Sequence, residues 1–376
     1  MSEEINTKVP SNNLSESNQT KHSSVNESET NQTEQFTNKE VIKQKTNDQQ
    51  TNDQQQTNEQ EEEREHVVGK KILPLFGLNN LGNTCFINAA TQLLLSIDDL
   101  VNLIQDENIW LPSLEKLCDN KNKEEVFNIC SSFVFISLYK LMKLGGSFGS
   151  KSPLEFIRLV LLKSQNKGIT IGTQGDAHEF ITIALDLINK ELIDAKTNKS
   201  YISEFIGFEN EKTIECLLCR EKNEAKQDDL ILPLYLEDGN TIQELINNYY
   251  DKATRVDYTC EKNKEQTEAE IKNITEFNQK YIILHLMRFK IKGTSYVKDN
   301  KIIDINETIK VKDVEYKVKS IVCHSGGLNG GHYFNYSRRE DKWYCFNDSS
   351  VSEQNNMDFL KSCSNGLGYV LLYEKV

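Results

Sequence analysis

From residue 72 onward the apolar positions fall into two kinds of register, and before it into none. In Phe86–Ile97 (FINAATQLLLSI) they recur at helical spacing, which predicts a helix opening at Cys85. Ser152-Pro153-Leu154-Glu155 reads as a helix start, with Ser at the N-cap, Pro at the first position and Glu closing a capping box. Asp176-Ala177-His178-Glu179, followed by FITIALDLI, reads as a second start, and 124–144 also has a helical pattern. Residues 85–195 are therefore expected to be mainly helical. The second half carries short β-rich runs at Tyr281–Lys290, Tyr316–His324, His332–Ser337, Lys342–Phe346 and Tyr369–Tyr373. Helices first and strands later predict an α+β fold. The segment 205–275 reads as an inserted β-rich subdomain, and the Gly-rich SGGLNGG at 325–331 as a mobile loop leading into His332.

Residues 1–66 hold one aromatic, Phe36, and are dominated by Asn, Gln, Thr, Ser, Glu and Lys, with TNDQQ in tandem at 46–55. Such a segment cannot bury enough apolar surface to offset its ordering entropy, so a disordered tail is expected. It carries 14 acidic and 6 basic residues, hence −8 of the net −13. The acidity thus belongs mostly to the tail. No basic stripe with interleaved aromatics occurs, which argues against a nucleic-acid partner. No window approaches 18 uninterrupted apolar residues, so no membrane span is predicted. The opening MSEEINTKVP lacks the apolar core of an ordinary secretory signal. Nine cysteines, an odd number, then suggest a reducing, intracellular setting, cytoplasmic and/or nuclear. A monomer is expected.

The cysteine with the most chemical promise is Cys85. Asn80-Leu81-Gly82-Asn83-Thr84 is a polar, Gly-containing turn, and the predicted helix follows at once. A thiol there meets the positive end of the helix dipole, which favours the nucleophilic thiolate. The helix N–H groups and the Asn80 side chain are candidate donors to an oxyanion. A small buried residue opening a core helix is the plainer alternative. His332 tips the balance: it follows flexible glycines and opens a predicted strand. The next predicted strand ends in Asn347-Asp348, where an antiparallel neighbour would bring it near His332. Cys, His and Asn/Asp in that order form a nucleophile, a base and an orienter, the last expected to act through Nδ1–H of the imidazole.

These segments together resemble the ubiquitin-specific protease family of papain-like deubiquitinases. GLNNLGNTCFINAATQLL at 77–94 resembles its cysteine box. QGDAHEF at 174–180 is similar to its Gln-Gln-Asp-Ala-His-Glu-Phe segment, with Gly175 in place of the second Gln. LHLMRF at 284–289 resembles its Leu-x-Leu-x-Arg-Phe strand, and 322–338, 343–351 and 368–374 its histidine box. The resemblance spans roughly 74–376. It implies a catalytic domain over 72–376 shaped as a hand: 85–200 mostly thumb, 205–275 mostly fingers, 276–376 mostly palm. It also implies hydrolysis of the (iso)peptide bond after the C-terminal glycine of ubiquitin, with ubiquitin and ubiquitinated proteins as partners. Cys85 matches the nucleophile, His332 the base, Asn80 the oxyanion residue, and Asn347 the third member. Asp348 matches a supporting acid, and which of the two matters more stays open. Asp176, with Gln174 beside it, matches a position that pairs with the basic tail of ubiquitin; a plain helix N-cap is its structural alternative. An inactive ubiquitin-binding scaffold, or a protease for another ubiquitin-like modifier, are the competing functions.

Cys216-Leu-Leu-Cys219 sits where that family has half of a four-cysteine zinc site, but the other half reads Cys260-Glu261-Lys262-Asn263. Asn is a poor zinc ligand, and a structural site wants four good ones. No cofactor is expected to be required for catalysis, and structural zinc is not expected either. Cys118, Cys130, Cys323, Cys345 and Cys363 read as small packed thiols, and His178 and His285 as packed histidines.

Overall fold

The computed structural model describes residues 73–376, apart from short stretches at 119–120, 144–149, 165–168, 170–171, 195–196, 198, 263, 293–294 and 328–329. The expected disordered tail, 1–66, lies outside the described residues.

The first half is helical, as its period requires. The helices are α1 (Cys85–Leu94), α2 (Asp98–Gln105), α3 (Glu107–Leu117), α4 (Lys123–Ser131), α5 (Val134–Lys143), α6 (Leu154–Lys163) and α7 (Ala177–Glu191). Every residue of α1 is buried, because α7 covers one side and the large sheet the other. Fully burying Phe86, Ile87, Leu93 and Leu94 contributes roughly 1.5–3 kcal/mol each. The expected helix over 124–144 is two helices, α4 and α5, broken near Ser132-Phe133. The capping box at Ser152 does not form: Pro153 holds the N-cap position and no side chain caps α6. Asp176 does cap α7, accepting from His178 N at 2.7 Å and Glu179 N at 3.4 Å.

The strands are β1 (Gly77–Leu78), β2 (Ser150–Lys151), β3 (Phe208–Cys216), β4 (Lys222–Asp229), β5 (Leu232–Leu234), β6 (Thr254–Thr259), β7 (Gln266–Asn273), β8 (Tyr281–Leu286), β9 (Phe289–Lys292), β10 (Ser295–Lys298), β11 (Thr308–Val311), β12 (Val314–Gly327), β13 (Gly330–Arg339), β14 (Lys342–Asn347), β15 (Ser350–Gln354) and β16 (Gly368–Lys375). A large sheet runs β15-β14-β13-β12-β16-β8-β5, with β11 beside β12; only its β5–β8 pair is parallel. A separate sheet, β4-β3-β7-β6, is largely polar and exposed. Segment 205–275 is thus divided: β5 joins the large sheet, and Ile242–Asp251 is a helix, α8, packed near it.

Two ties lock the helical half to the large sheet. Arg339, fully buried, donates to Pro74 O, Ser96 Oγ, Gln92 O and Gln92 Oε1. Lys319, 4% exposed, donates to Asp98 Oδ2 at 2.6 Å and Glu374 Oε2 at 2.8 Å. The first anchors the C-terminal end of α1, and the second the start of α2.

Candidate active site

The turn before Cys85 is shaped by Gly82 (φ +94°) and Asn83 (φ +56°), both left-handed. That geometry suits glycine and tolerates asparagine. Asn80 braces the turn from within: its Oδ1 accepts from Gly82 N, Thr84 N and Thr84 Oγ1 at 3.0, 3.2 and 3.3 Å. Cys85 then opens α1 with its side chain buried against β13.

Its sulfur faces the backbone N–H of Tyr333, the residue after His332. Burial pushes the thiol's pKa up, and Asp348 nearby adds to this, outweighing the N–H groups of Tyr333, Phe86 and Cys85. The lowered pKa expected from the helix start is therefore not found. Desolvation of the charged form wins over the dipole.

His332 lies on β13 and reaches across the sheet to Asn347 at the end of β14. Its Nε2 and Asn347 Oδ1 are 2.6 Å apart. This corrects the expectation that Nδ1 would carry the orienting bond. With Nε2 engaged, Nδ1 is the nitrogen left for the thiol. Among the described residues, Cys85 and His332 are not hydrogen-bonded to each other; the sulfur rests on the adjoining peptide instead. The Gly-rich approach to His332 is a continued hairpin at both ends, Gly326 pairing with Gly331 and Gly327 with Gly330. At Gly331 a Cβ would lie 2.2 Å from His324 Nε2, so only glycine fits there. Burial, with Lys298 and His332 nearby, lowers the His324 pKa to about 4, so this neighbour is neutral near pH 7.

Asp348 does not touch His332. It sits in the two-residue turn between β14 and β15 with φ +48°, and its carboxylate points to the turn before Cys85 and to α1. Asp348 Oδ2 accepts from Asn80 Nδ2 at 2.9 Å, Oδ1 from Asn88 Nδ2 at 2.7 Å, and its carbonyl from Leu78 N at 2.8 Å. The two neighbours thus part ways: Asn347 meets the His332 imidazole, and Asp348 holds the turn before Cys85 and the helix that follows it.

Gln174 Oε1 accepts from Gly331 N at 3.2 Å, joining the segment before α7 to the residue before His332. Asp176 is committed on both oxygens, to the α7 cap and to Tyr369 Oη at 2.5 Å. His178 and His285 stack at 3.7 Å with ring planes 13° apart, and burial lowers the pKa of both. They are packed groups, as expected. Tyr369 and Asn88 were not singled out in the sequence. For Asn88 a signal existed, a polar residue within an otherwise core-facing helix three positions after Cys85.

Cys216, Cys219 and Cys260 converge at one end of the small sheet, their sulfurs within 4.8 Å of one another and Cys219–Cys260 at 3.5 Å. Among the described residues no fourth His, Cys, Asp or Glu completes the set. Asn263 lies outside the described residues. Counting His, Cys, Asp and Glu among the described residues, the donor set holds three of the four ligands of a closed tetrahedral zinc site.

A thiol at a helix start, set against the strand whose histidine meets an asparagine, is the arrangement of a papain-like cysteine-peptidase fold. The comparisons agree. The family model described as ubiquitin carboxyl-terminal hydrolase matches residues 76–373, and the chain belongs to that family. It is 26% identical to ubiquitin carboxyl-terminal hydrolase 36 of Drosophila virilis, over 79% of this chain and 25% of that protein. It is 22% identical to ubiquitin carboxyl-terminal hydrolase 25 of Arabidopsis thaliana, over 80% of this chain and 47% of that protein. The chain thus spans a quarter to a half of the length of these relatives. The fold is shared with Ubp8-containing SAGA DUB modules. For the module bound to monoubiquitin, the TM-score is 0.63 at 20% identity, covering 81% of this chain and 70% of that one. For the module bound to ubiquitin aldehyde it is 0.61 at 20% identity, covering 82% and 71%.

Proposed function

We propose that this chain is a thiol-dependent deubiquitinase that hydrolyses the bond after the C-terminal glycine of ubiquitin. The observation that carries the reading is the 2.6 Å contact of His332 Nε2 with Asn347, which leaves Nδ1 for Cys85 on the facing helix. Because burial keeps the thiol neutral, attack couples to proton transfer. As the sulfur bonds to the glycine carbonyl carbon, its proton passes to His332. The carbonyl oxygen becomes an oxyanion, stabilised by the Asn80 amide and the N–H groups at the start of α1. His332 returns the proton to the departing lysine amine. Water then attacks the thioester and gives a proton to His332; the C–S bond breaks, the Cys85 sulfur takes that proton back, and ubiquitin leaves with a free carboxyl group. Asn347 and Asp348 are positioning residues in this scheme. No step needs a metal or cofactor.

Ubiquitin's tail would pass between the thumb, at Gln174 and Asp176, and the palm, at Gly331 and His332. A cleft of about 610 Å³ near the base of the fingers is lined by Asp186, Glu209, Asp228 and Asp229 among others, which suits a partner with a basic face. We read the fingers as holding together without zinc, and the chain as an intracellular monomer acting on ubiquitinated proteins.

The test is labelling with ubiquitin carrying a C-terminal electrophile, beside probes built on other modifiers, with Cys85→Ala as control. An adduct with the ubiquitin probe alone supports the reading. Binding without an adduct makes the chain a scaffold, and preference for another modifier reassigns its substrate.

A further inference from the structure

We infer that Asn88 is a positioning residue for the oxyanion site, acting on Asn80 through the carboxylate of Asp348. The inference rests on the deubiquitinase reading above and adds a residue to it.

Asn88 is buried on α1, 2% exposed, three residues after Cys85 and so on the same helical face. Its Nδ2 donates to Asp348 Oδ1 at 2.7 Å and lies 3.2 Å from Leu78 O and 3.4 Å from Asn79 O. Its Oδ1 is buried with no partner. Leaving a buried amide oxygen unpaired is costly. Turning the amide over would aim that oxygen at a carboxylate and two carbonyls, which is worse, so the donor orientation is fixed. The site thus gives up one hydrogen bond to aim the amine side at Asp348.

The other carboxylate oxygen takes Asn80 Nδ2 at 2.9 Å. One carboxylate therefore spans two amides, one rigid in the helix and one in the exposed turn. Asn80 Oδ1 is meanwhile fixed by the N–H groups of Gly82 and Thr84. With one Nδ2 hydrogen on Asp348, the second is the one left for the oxyanion. Its direction depends on where Asp348 stands. Asp348 occupies a left-handed turn position, and Asn88 holds its carboxylate from the fully buried helix of the site. Gly77 and Leu78 add a backbone hold on the same turn, since Leu78 N bonds Asp348 O and a Cβ on Gly77 would meet Ser349 O. A donor misaimed by about an ångström costs on the order of 10²-fold in rate.

The experiment compares wild type, Asn88→Ala, Asn80→Ala and the double variant on a ubiquitin–fluorophore conjugate, with rates per titrated active site so that unfolded protein does not count. Affinities for ubiquitin aldehyde, whose hemithioacetal places an oxygen in the oxyanion position, and for plain ubiquitin are measured in parallel. Asn88→Ala is expected to lower kcat about tenfold with KM unchanged, and to weaken ubiquitin aldehyde but not ubiquitin. In the Asn80→Ala background it should cost no more than about twofold further, because the amide it aims is gone. Asp348→Ala serves as a second background, in which Asn88→Ala should again be silent. Full multiplicative losses in both backgrounds, or a loss in KM and ubiquitin affinity instead of kcat, overturn the inference while leaving the deubiquitinase reading intact. A wild type that never turns over the conjugate overturns that reading and this inference with it.

Discussion

His332 Nε2 stands 2.6 Å from Asn347 Oδ1, across the β13–β14 pair and at its open end. A neutral amide therefore meets the imidazole proposed as the base, while the acid next to it, Asp348, faces the turn before Cys85. Asn347→Ala should lower kcat by roughly 10²-fold with little change in KM, whereas Asn347→Asp should keep most of the activity because an acceptor remains. Steady-state kinetics on a ubiquitin–fluorophore conjugate decide this. An equal loss in both variants would remove the orienting role.

Cys85 has a raised pKa because burial and Asp348 disfavour its thiolate. In the free enzyme the rate of Cys85 alkylation by iodoacetamide should still be climbing above pH 9, where a thiolate paired with an imidazolium would already have levelled off. Asp348→Asn, which removes the nearby negative charge, should shift the curve to lower pH. A plateau below pH 7 would contradict the neutral resting thiol.

Asp176 serves the α7 cap and Tyr369 at once. Asp176→Ala should cost about 1 kcal/mol of stability from the cap alone. It should also raise KM for ubiquitin, since the proposed tail site goes with it. Tyr369→Phe keeps the cap and loses one hydrogen bond, so it separates the two effects. Urea unfolding and KM, measured together on both variants, give the answer.

Lys319 is nearly buried between Asp98 of the helical half and Glu374 of the large sheet. Lys319→Ala should destabilise by roughly 3 kcal/mol, because Glu374 is left partly uncompensated. Beside it, Asp99 is partly buried, which alone would raise its pKa, but its bonds to Lys280 and Tyr281 outweigh this and lower it. A depressed carboxylate stabilises above its unfolded value near 3.8 and loses that contribution as pH falls through the folded value. The stability gap between wild type and Asp99→Asn should therefore shrink below about pH 4. Urea midpoints from pH 3 to 7 follow it, and a gap that widens in acid would refute the assignment.

Among the described residues no fourth His, Cys, Asp or Glu joins the sulfurs of Cys216, Cys219 and Cys260. Protein purified without added metal should hold well under one zinc per chain, and a chelator should change neither its melting temperature nor its turnover. Stoichiometric zinc by elemental analysis would show that the shell is completed after all.

Much of the fold was legible because periodicity is local. The run after Cys85 reads as a buried helix, and the short β-rich runs from Tyr281 onward read as strands. The order Cys85, His332, Asn347 pointed to one chemistry because each residue sat at the edge of such an element. Where caps compete, local reading failed: Ser152 does not cap α6, since Pro153 takes that place. The sequence by itself determined which residue types are on offer and which elements carry them, since residue type and hydrophobic period need no partner. Only the tertiary structure decided how neighbours divide their roles. Asn347 and Asp348 are adjacent in sequence, yet the pleat of β14 and the left-handed turn after it send one to the imidazole and the other to Asn80 and Asn88. Only packing, likewise, could set the burial that keeps the Cys85 thiol neutral against the pull of its own helix.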